Sequence, residues 1–274
     1  MKRVAIYAHY GASAKVALHV FHFLGELRSL GFEICFVSNS PVSPESQTEI
    51  SKVCQKIILR ENTGLDFSMW QAALAGYDLS TLDELLLTNS SIIGHLQPLA
   101  PLWQNPLVSQ CDFWGLTDND EITLHLQSYF LVFHKNVIRS ECFARFWKSV
   151  LPYADKDQVI RSYEVGLTTW LEQNGFNWKA LYHQYDLFKR YAESRKKRSF
   201  SSKVLDRLKR RGVPAQLPGR NTTLYYPDLL ILSGMPFLKA SLLKDQPDRA
   251  YKLLESSSLP EVALEELRTI ARRI

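Results

Sequence analysis

The stretch ILRENTGLDFSMWQAAL, residues 58–74, carries the fold in miniature. It ends an apolar β-rich run, passes through the polar loop ENTGLD, and opens a helix-forming run with Met69 and Trp70 in its first turns. A strand-to-helix connection needs only a turn and a cap, which Gly64 and Asp66 can supply. Glu61 and Asn62 add hydrogen-bonding groups beyond that need, so the loop reads either as a ligand contact or as a polar loop ahead of an Asp66 N-cap. Working outward, the same order recurs. Residues 4–8 (VAIYA) form a β-rich run, His9, Tyr10 and Gly11 turn the chain, and residues 15–30 make an amphipathic helix stopped by Gly31. Residues 33–38 read as a second strand, 45–53 as a second helix, 56–60 as the third strand, 67–75 as the third helix and 84–88 as the fourth strand. Strands alternating with helices at this spacing predict an α/β domain with a mostly parallel, doubly wound sheet. Ligands of such sheets sit at the carboxyl ends of the strands, here the loops 8–13, 38–41, 61–66 and 89–94.

Further along, residues 111–117 (CDFWGLT) and 124–133 (LHLQSYFLVF) read as two strands joined by the polar turn DNDE. Ser140 caps a helix carrying Phe143, Phe146 and Trp147, and a further helix covers residues 163–173 before Gly175. The expected division is 1–182 as the main domain and 183–274 as a mainly helical, basic extension packing on the same core. Residues 189–211 hold eleven of the 33 Lys and Arg against only Glu193 and Asp206. Phe200, Val204 and Leu208 recur there at helical spacing, with Lys203, Arg207, Lys209, Arg210 and Arg211 around them. That pattern suits an amphipathic helix on an anionic membrane surface, or a solvated connection. No recognised nucleic-acid module accompanies the charge, so nucleic acid is not expected.

The composition, 46% apolar and 22% charged, excludes wholesale disorder. Cys35, Cys54, Cys111 and Cys142 lack metal-ligand spacing and read as reduced core thiols of a cytosolic protein. No cleavable signal is evident, and the longest apolar segment, near residue 230, falls short of the ~20 residues that a spanning helix needs. Any membrane contact is therefore expected to be peripheral.

In LLLTNSS, Asn89 and Ser91 lie two residues apart and share a face if extended, at the tip of a buried strand. They suit a diphosphate or a metal-bound water, or simply a strand-ending turn. A neutral Asn and Ser hold a divalent cation less well than carboxylates do. Asp118-Asn119-Asp120 lies in the polar turn and reads as solvated.

The ordered set ENTGLD, LLLTNSSIIGHLQPL, CDFWGLTDN, HLQSYFLVF, FARFW and YEVGLTTWLEQNGF resembles the rhamnan synthesis F family, from the first strand to Phe176, with a weaker match in residues 229–247. The resemblance implies a bacterial GT-A glycosyltransferase with a Rossmann-like sheet, working in the synthesis of rhamnose-containing surface polysaccharide. It implies nucleotide recognition by Glu61, Asn62 and Asp66, with Gly64 permitting close backbone approach; His9, by its place after the first strand, reads either as reaching the nucleotide or diphosphate or as only closing its turn. It sets Asn89, Ser90 and Ser91 where the family fold usually has Asp-x-Asp, leaving Mg2+ or Mn2+ as an open cofactor. It implies Glu164 as catalytic base, with Asp112 in reserve. Trp114, His125 and Gln127 form a candidate sugar- or acceptor-facing wall. The implied donor is dTDP-rhamnose, the acceptor a lipid-linked oligosaccharide, the outcome inverting, and the location the inner face of the cell membrane. A non-catalytic glycan or nucleotide-sugar binder and a peripheral membrane scaffold are the rival readings.

Overall fold

The computed structural model describes residues 1–189 and 221–272. The basic run with Lys203, Arg207, Lys209, Arg210 and Arg211 lies outside the described residues.

Strands β1 (Arg3–His9), β2 (Phe32–Ser38), β3 (Lys56–Leu59) and β4 (Glu84–Asn89) are parallel and stand in the order β3-β2-β1-β4. Helices α1 (Leu18–Ser29), α2 (Pro44–Ser51) and α3 (Asp66–Leu74) connect them. Side chains alternate between the faces of each strand, and both faces are buried here. Ala5, Tyr7, Ile34, Phe36 and Leu86 join one apolar cluster with Val20, Phe23 and Leu24 of α1. Val4, Ile6, Cys35, Val37, Leu85 and Leu87 join another with Phe67, Trp70 and Leu74 of α3. A sheet covered on both faces explains why these strands are apolar throughout rather than alternating with polar residues.

Beyond β4 the sheet departs from the all-parallel expectation. Strand β8 (Phe130–His134) runs antiparallel to β4, and β6 (Phe113–Asn119) runs antiparallel to β8. Strand β9 (Trp178–Tyr182) then adds parallel to β6. The result is a mixed, mostly parallel α/β sheet. The single strand expected over residues 124–133 is two, β7 (His125–Leu126) and β8, because Gln127, Ser128 and Tyr129 step away from the ladder. The expected solvated turn at Asp118-Asn119-Asp120 is corrected: β6 runs on through Asn119, and Asp118 is fully buried. Asp118 accepts hydrogen bonds from the Gln184 amide at 2.9 Å and from His183 Nδ1, tying down the chain after β9.

Two short strands went unread in the sequence, β5 (Ile92–Gly94) and β10 (Phe237–Lys239), which pair antiparallel. Gly94 makes their approach possible, since a Cβ there would lie 2.5 Å from the Phe237 ring and 2.7 Å from the Pro236 carbonyl. Along β10 the alternation splits the strand between two environments. Phe237 enters the main core beside Phe23 and Phe130, while Leu238 enters a small cluster with Leu243, Leu254 and Leu267. All four cysteines are buried and free. No helix among the described residues is long and apolar enough to cross a membrane.

Candidate active site

A cleft of about 490 Å³ opens at the carboxyl ends of β1, β2, β3 and β4. Tyr10, Asn39, Asn62, Gly64 and Asp66 line one part of it, from the loops after β1, β2 and β3. Asn89, Ser90 and Ser91 come from the end of β4, Gln127 and Ser128 from the step between β7 and β8, and Glu164 and Lys156 from the following helical segment. Lys239, at the end of β10, completes the wall.

The ENTGLD loop is shaped by Gly64, whose φ is +63° and whose added Cβ would lie 2.6 Å from Ser68 Cβ and 2.8 Å from Pro152 Cα. Only glycine meets both the dihedral and the space. Asn39 Nδ2 holds the loop from β2 by donating to the Gly64 carbonyl at 2.8 Å, while its Oδ1 is buried with no partner among the described residues. The Asp66 N-cap is corrected: the cap residue is Leu65, which makes no side-chain cap bond, and Asp66 is the first helical residue. Its carboxylate instead accepts from Asn89 Nδ2 at 2.6 Å and faces the cleft. Burial, and then the charge of Glu164, push the Asp66 pKa up. Trp70 turns the other way, fully buried, its indole N–H donating to the Thr88 carbonyl at 3.1 Å and fastening α3 to the end of β4.

Glu164 sits at the end of a π-helical turn (Ile160–Glu164) that links a short helix (Lys156–Val159) to the longer one (Val165–Gln173). The sequence places the helix start at residue 163, so Glu164 reads there as a first-turn residue; in the structure the helical segment begins at Lys156. Single π turns recur at functional sites because the wider winding redirects one side chain. Glu164 Oε2 accepts from the Ser128 amide at 2.8 Å and from the Ser128 hydroxyl, and Oε1 lies 3.5 Å from His125 Nε2. His125 is oriented by its Nδ1, which donates to the Thr123 carbonyl at 2.6 Å. Burial favours a neutral Glu164, but the His125 ring beside Oε1 and the hydrogen bonds from Ser128 outweigh it and hold the pKa below the usual carboxylate value. Burial likewise opposes charge on His125, yet the Glu164 carboxylate and the Thr123 carbonyl carry its pKa upward. The pair is thus built to hold an ionised carboxylate.

Other sequence-derived candidates are placed elsewhere. Asp112 stands just before β6, at the opposite end of that strand from the cleft, and its carboxylate accepts from the Asn177 amide at 2.7 Å and from Asn177 Nδ2 at 2.8 Å. Asn136 takes its other oxygen. Trp114 is fully buried in the main core between Trp103 and Phe130, away from any sugar. His125 is buried behind Glu164 and does not line the cleft, whereas Gln127 does, with Oε1 fixed by the Thr117 hydroxyl at 2.7 Å. His9 is buried against Phe36 and hydrogen-bonded to Ser38 Oγ at 2.9 Å, its pKa lowered to about 4 by burial. Glu61 is exposed and outside the lining. Asn39, Ser128 and Lys239 are site residues that the sequence reading missed. Asn39 stood in one of the four strand-end loops, Ser128 in the HLQSYFLVF motif beside Gln127, and Lys239 in the tail of the resemblance.

A divalent metal does not fit the residues at the end of β4. Asn89 Oδ1 already accepts from the Ser91 amide at 3.1 Å and the Ser91 hydroxyl at 2.5 Å, and Asn89 Nδ2 is spent on Asp66. Hard cations want several free oxygens, preferably charged, and Lys239 Nζ stands 3.2 Å from Ser91 Oγ.

Comparison with known proteins identifies the family. An uncharacterized protein of Sinorhizobium fredii is 28% identical over 197 residues, covering 70% of this chain and 50% of that protein. Virulence protein VirA of Vibrio anguillarum is 26% identical over 211 residues, covering 73% of this chain and 66% of its own length. The chain therefore spans about half to two-thirds of these curated relatives. Among solved structures, the glycosyltransferase GlyE of Streptococcus pneumoniae aligns with a TM-score of 0.45 at 14% identity, over 98% of this chain and 64% of that one. The family model for rhamnan synthesis protein F matches residues 34–215, most of the chain from β2 onward, and the chain belongs to that family.

Proposed function

We propose that the protein is a glycosyltransferase that moves a sugar from a nucleotide-sugar donor to a glycan acceptor during surface-polysaccharide synthesis. The observation that carries the reading is the single cleft in which the strand-end loops of a GT-A sheet meet an ionised, hydrogen-bonded Glu164. In the proposed reaction an acceptor hydroxyl attacks the anomeric carbon of the donor. The bond from that carbon to the diphosphate oxygen breaks, the nucleoside diphosphate leaves, and Glu164 takes the hydroxyl proton. Oε1 is the oxygen suited to receive it, because Oε2 is occupied by Ser128. His125 is a positioning residue that keeps Glu164 ionised and oriented. Tyr10, Asn39, Asn62 and Gly64 are proposed to hold the nucleoside, with the exposed Tyr10 ring able to stack on a base.

The donor proposed is dTDP-rhamnose, a choice supported by the family's description as rhamnan synthesis protein F, and the acceptor proposed is a lipid-linked glycan. Inversion follows if a β-linked donor gives an α-linked product. The basic run of residues 189–211 is proposed to hold the protein against an anionic leaflet, at about 1 kcal/mol per cation near the surface. The test is Glu164→Gln, assayed for binding and turnover separately. Donor binding should persist while turnover falls by roughly 10²- to 10⁴-fold. Equal turnover in the variant and the native protein would remove the base assignment. A native protein that binds donor and never turns it over would be the non-catalytic binder.

A further inference from the structure

Lys239 is a part-buried cation of the cleft to which the transferase reading assigns no task. β10 delivers it: Lys239 pairs with Ile92, and the next residue, Ala240, donates its amide to the Ser91 carbonyl at 2.8 Å. The side chain leaves the same face of β10 as Phe237 and enters the cleft beside Asn89, Ser91, Asp66 and Glu164. Its Nζ donates to Ser91 Oγ at 3.2 Å and lies 5.1 Å from the centre of the Tyr129 ring. An ammonium has three N–H donors, and the hydrogen bond recorded for this one among the described residues is to a neutral hydroxyl. Two donors therefore remain for a ligand. Burial pulls its pKa down against the opposing pull of the Glu164 and Asp66 charges, so an incoming anion would secure the charged form.

We infer that Lys239 binds the donor's diphosphate and stabilises the departing nucleoside diphosphate in place of a divalent metal. The inference rests on the transferase reading and names the electrophilic group of that site. When the anomeric C–O bond breaks, its electron pair stays on the terminal phosphate oxygen. A cation aimed at that oxygen is worth most at this moment, in a site partly withdrawn from water. The position that would otherwise take a metal has its asparagine oxygen turned inward to Ser91, and its cation is covalently attached to the chain. Lys156, on a different element of the same wall, adds a second positive charge facing the cleft.

The experiment is calorimetric titration of the full chain with dTDP, UDP, GDP and CDP, and with the corresponding nucleosides, in EDTA and again with Mn2+. Native protein, Lys239→Met and Lys239→Arg are compared, each checked for native circular dichroism. The expected result is tight diphosphate binding in EDTA that Mn2+ changes less than twofold. In Lys239→Met the diphosphate should weaken by roughly ten- to a hundredfold, the scale of a charged hydrogen bond, with the nucleoside affinity unchanged and no rescue by Mn2+. Lys239→Arg should keep part of the binding and serves as the folded control. Diphosphate binding that requires Mn2+, or that survives Lys239→Met, overturns the Lys239 assignment while leaving the transferase reading standing. A native protein that binds no nucleotide in the panel overturns both.

Discussion

At Glu164 the chain sets two hydrogen bonds from Ser128 on one oxygen and the His125 ring near the other, and the two titrations lean in opposite directions. Glu164 has its pKa depressed below 4.5, so the stability it contributes is present above that value and is lost as pH falls through the folded pKa. His125 has its pKa raised above 6.5, so its contribution is complete below that value and is lost as pH rises through the folded pKa. His183, beside buried Asp118, leans the same way as His125. Burial lowers the pKa of His9, His19 and His22, which lean the other way, so the His125 contribution is read by difference: the gap in melting temperature between the native chain and His125→Gln should shrink as pH rises above 6.5. An unchanged slope in His125→Gln would show that the ring is neutral in the folded state. Gly64 offers a second test. Gly64→Ala must adopt a φ of +63° and displace Ser68 or Pro152, so it should cost about 1–3 kcal/mol in urea unfolding. Nucleotide affinity should fall with it, since the same loop lines the cleft.

The strands read most clearly from sequence are those of the parallel β3-β2-β1-β4 half of the sheet, three of which are buried on both faces. β1 to β4 were expected at 4–8, 33–38, 56–60 and 84–88 and stand at 3–9, 32–38, 56–59 and 84–89. Those runs are rich in β-forming apolar residues and bounded by turn residues. β5 and β10 have three residues each and are held by one another, 143 residues apart from Gly94 to Phe237, so no local pattern announces them. Asp118 misled for a related reason: its acidic neighbours imitate a turn, and only the approach of His183 and Gln184 makes a buried carboxylate tolerable there. Asp118→Ala should leave the Gln184 amide buried without its acceptor and cost about 1–3 kcal/mol, measured by urea unfolding. A variant as stable as the native chain would mean that water reaches the amide. That Glu164 lines the cleft was legible because its helix has a recognisable pattern, whereas the place of Lys239 was not, because it depends on the β5–β10 pairing.

At the scale of the whole molecule, the segment after residue 220 is part of the main core and of the site. Tyr226, Leu229, Leu230, Met235 and Phe237 lie in the same apolar cluster as α1 and β1, and Glu266 accepts from the Leu18 amide at 2.6 Å. Fully burying each large apolar side chain contributes about 1.5–3 kcal/mol, against a total of about 5–15 kcal/mol for a typical domain. A chain ended at residue 220 should therefore fail to give a cooperative melting transition, and a well-folded truncation would contradict this account of the core. The sheet and strand-end loops were legible because periodicity reports them, and the place of Lys239 in the cleft was not, because it needs the chain's far end folded back. The account's central claim is that this cleft binds a nucleotide sugar. Its most direct test is the thermal unfolding of the purified chain against a panel of nucleotide sugars, with and without Mg2+ or Mn2+. Binding to the folded state alone stabilises it by about 2.7 kcal/mol at a hundredfold excess over Kd. The account predicts a rise in Tm with dTDP-rhamnose that persists in EDTA; no rise with any donor, with or without metal, would contradict it.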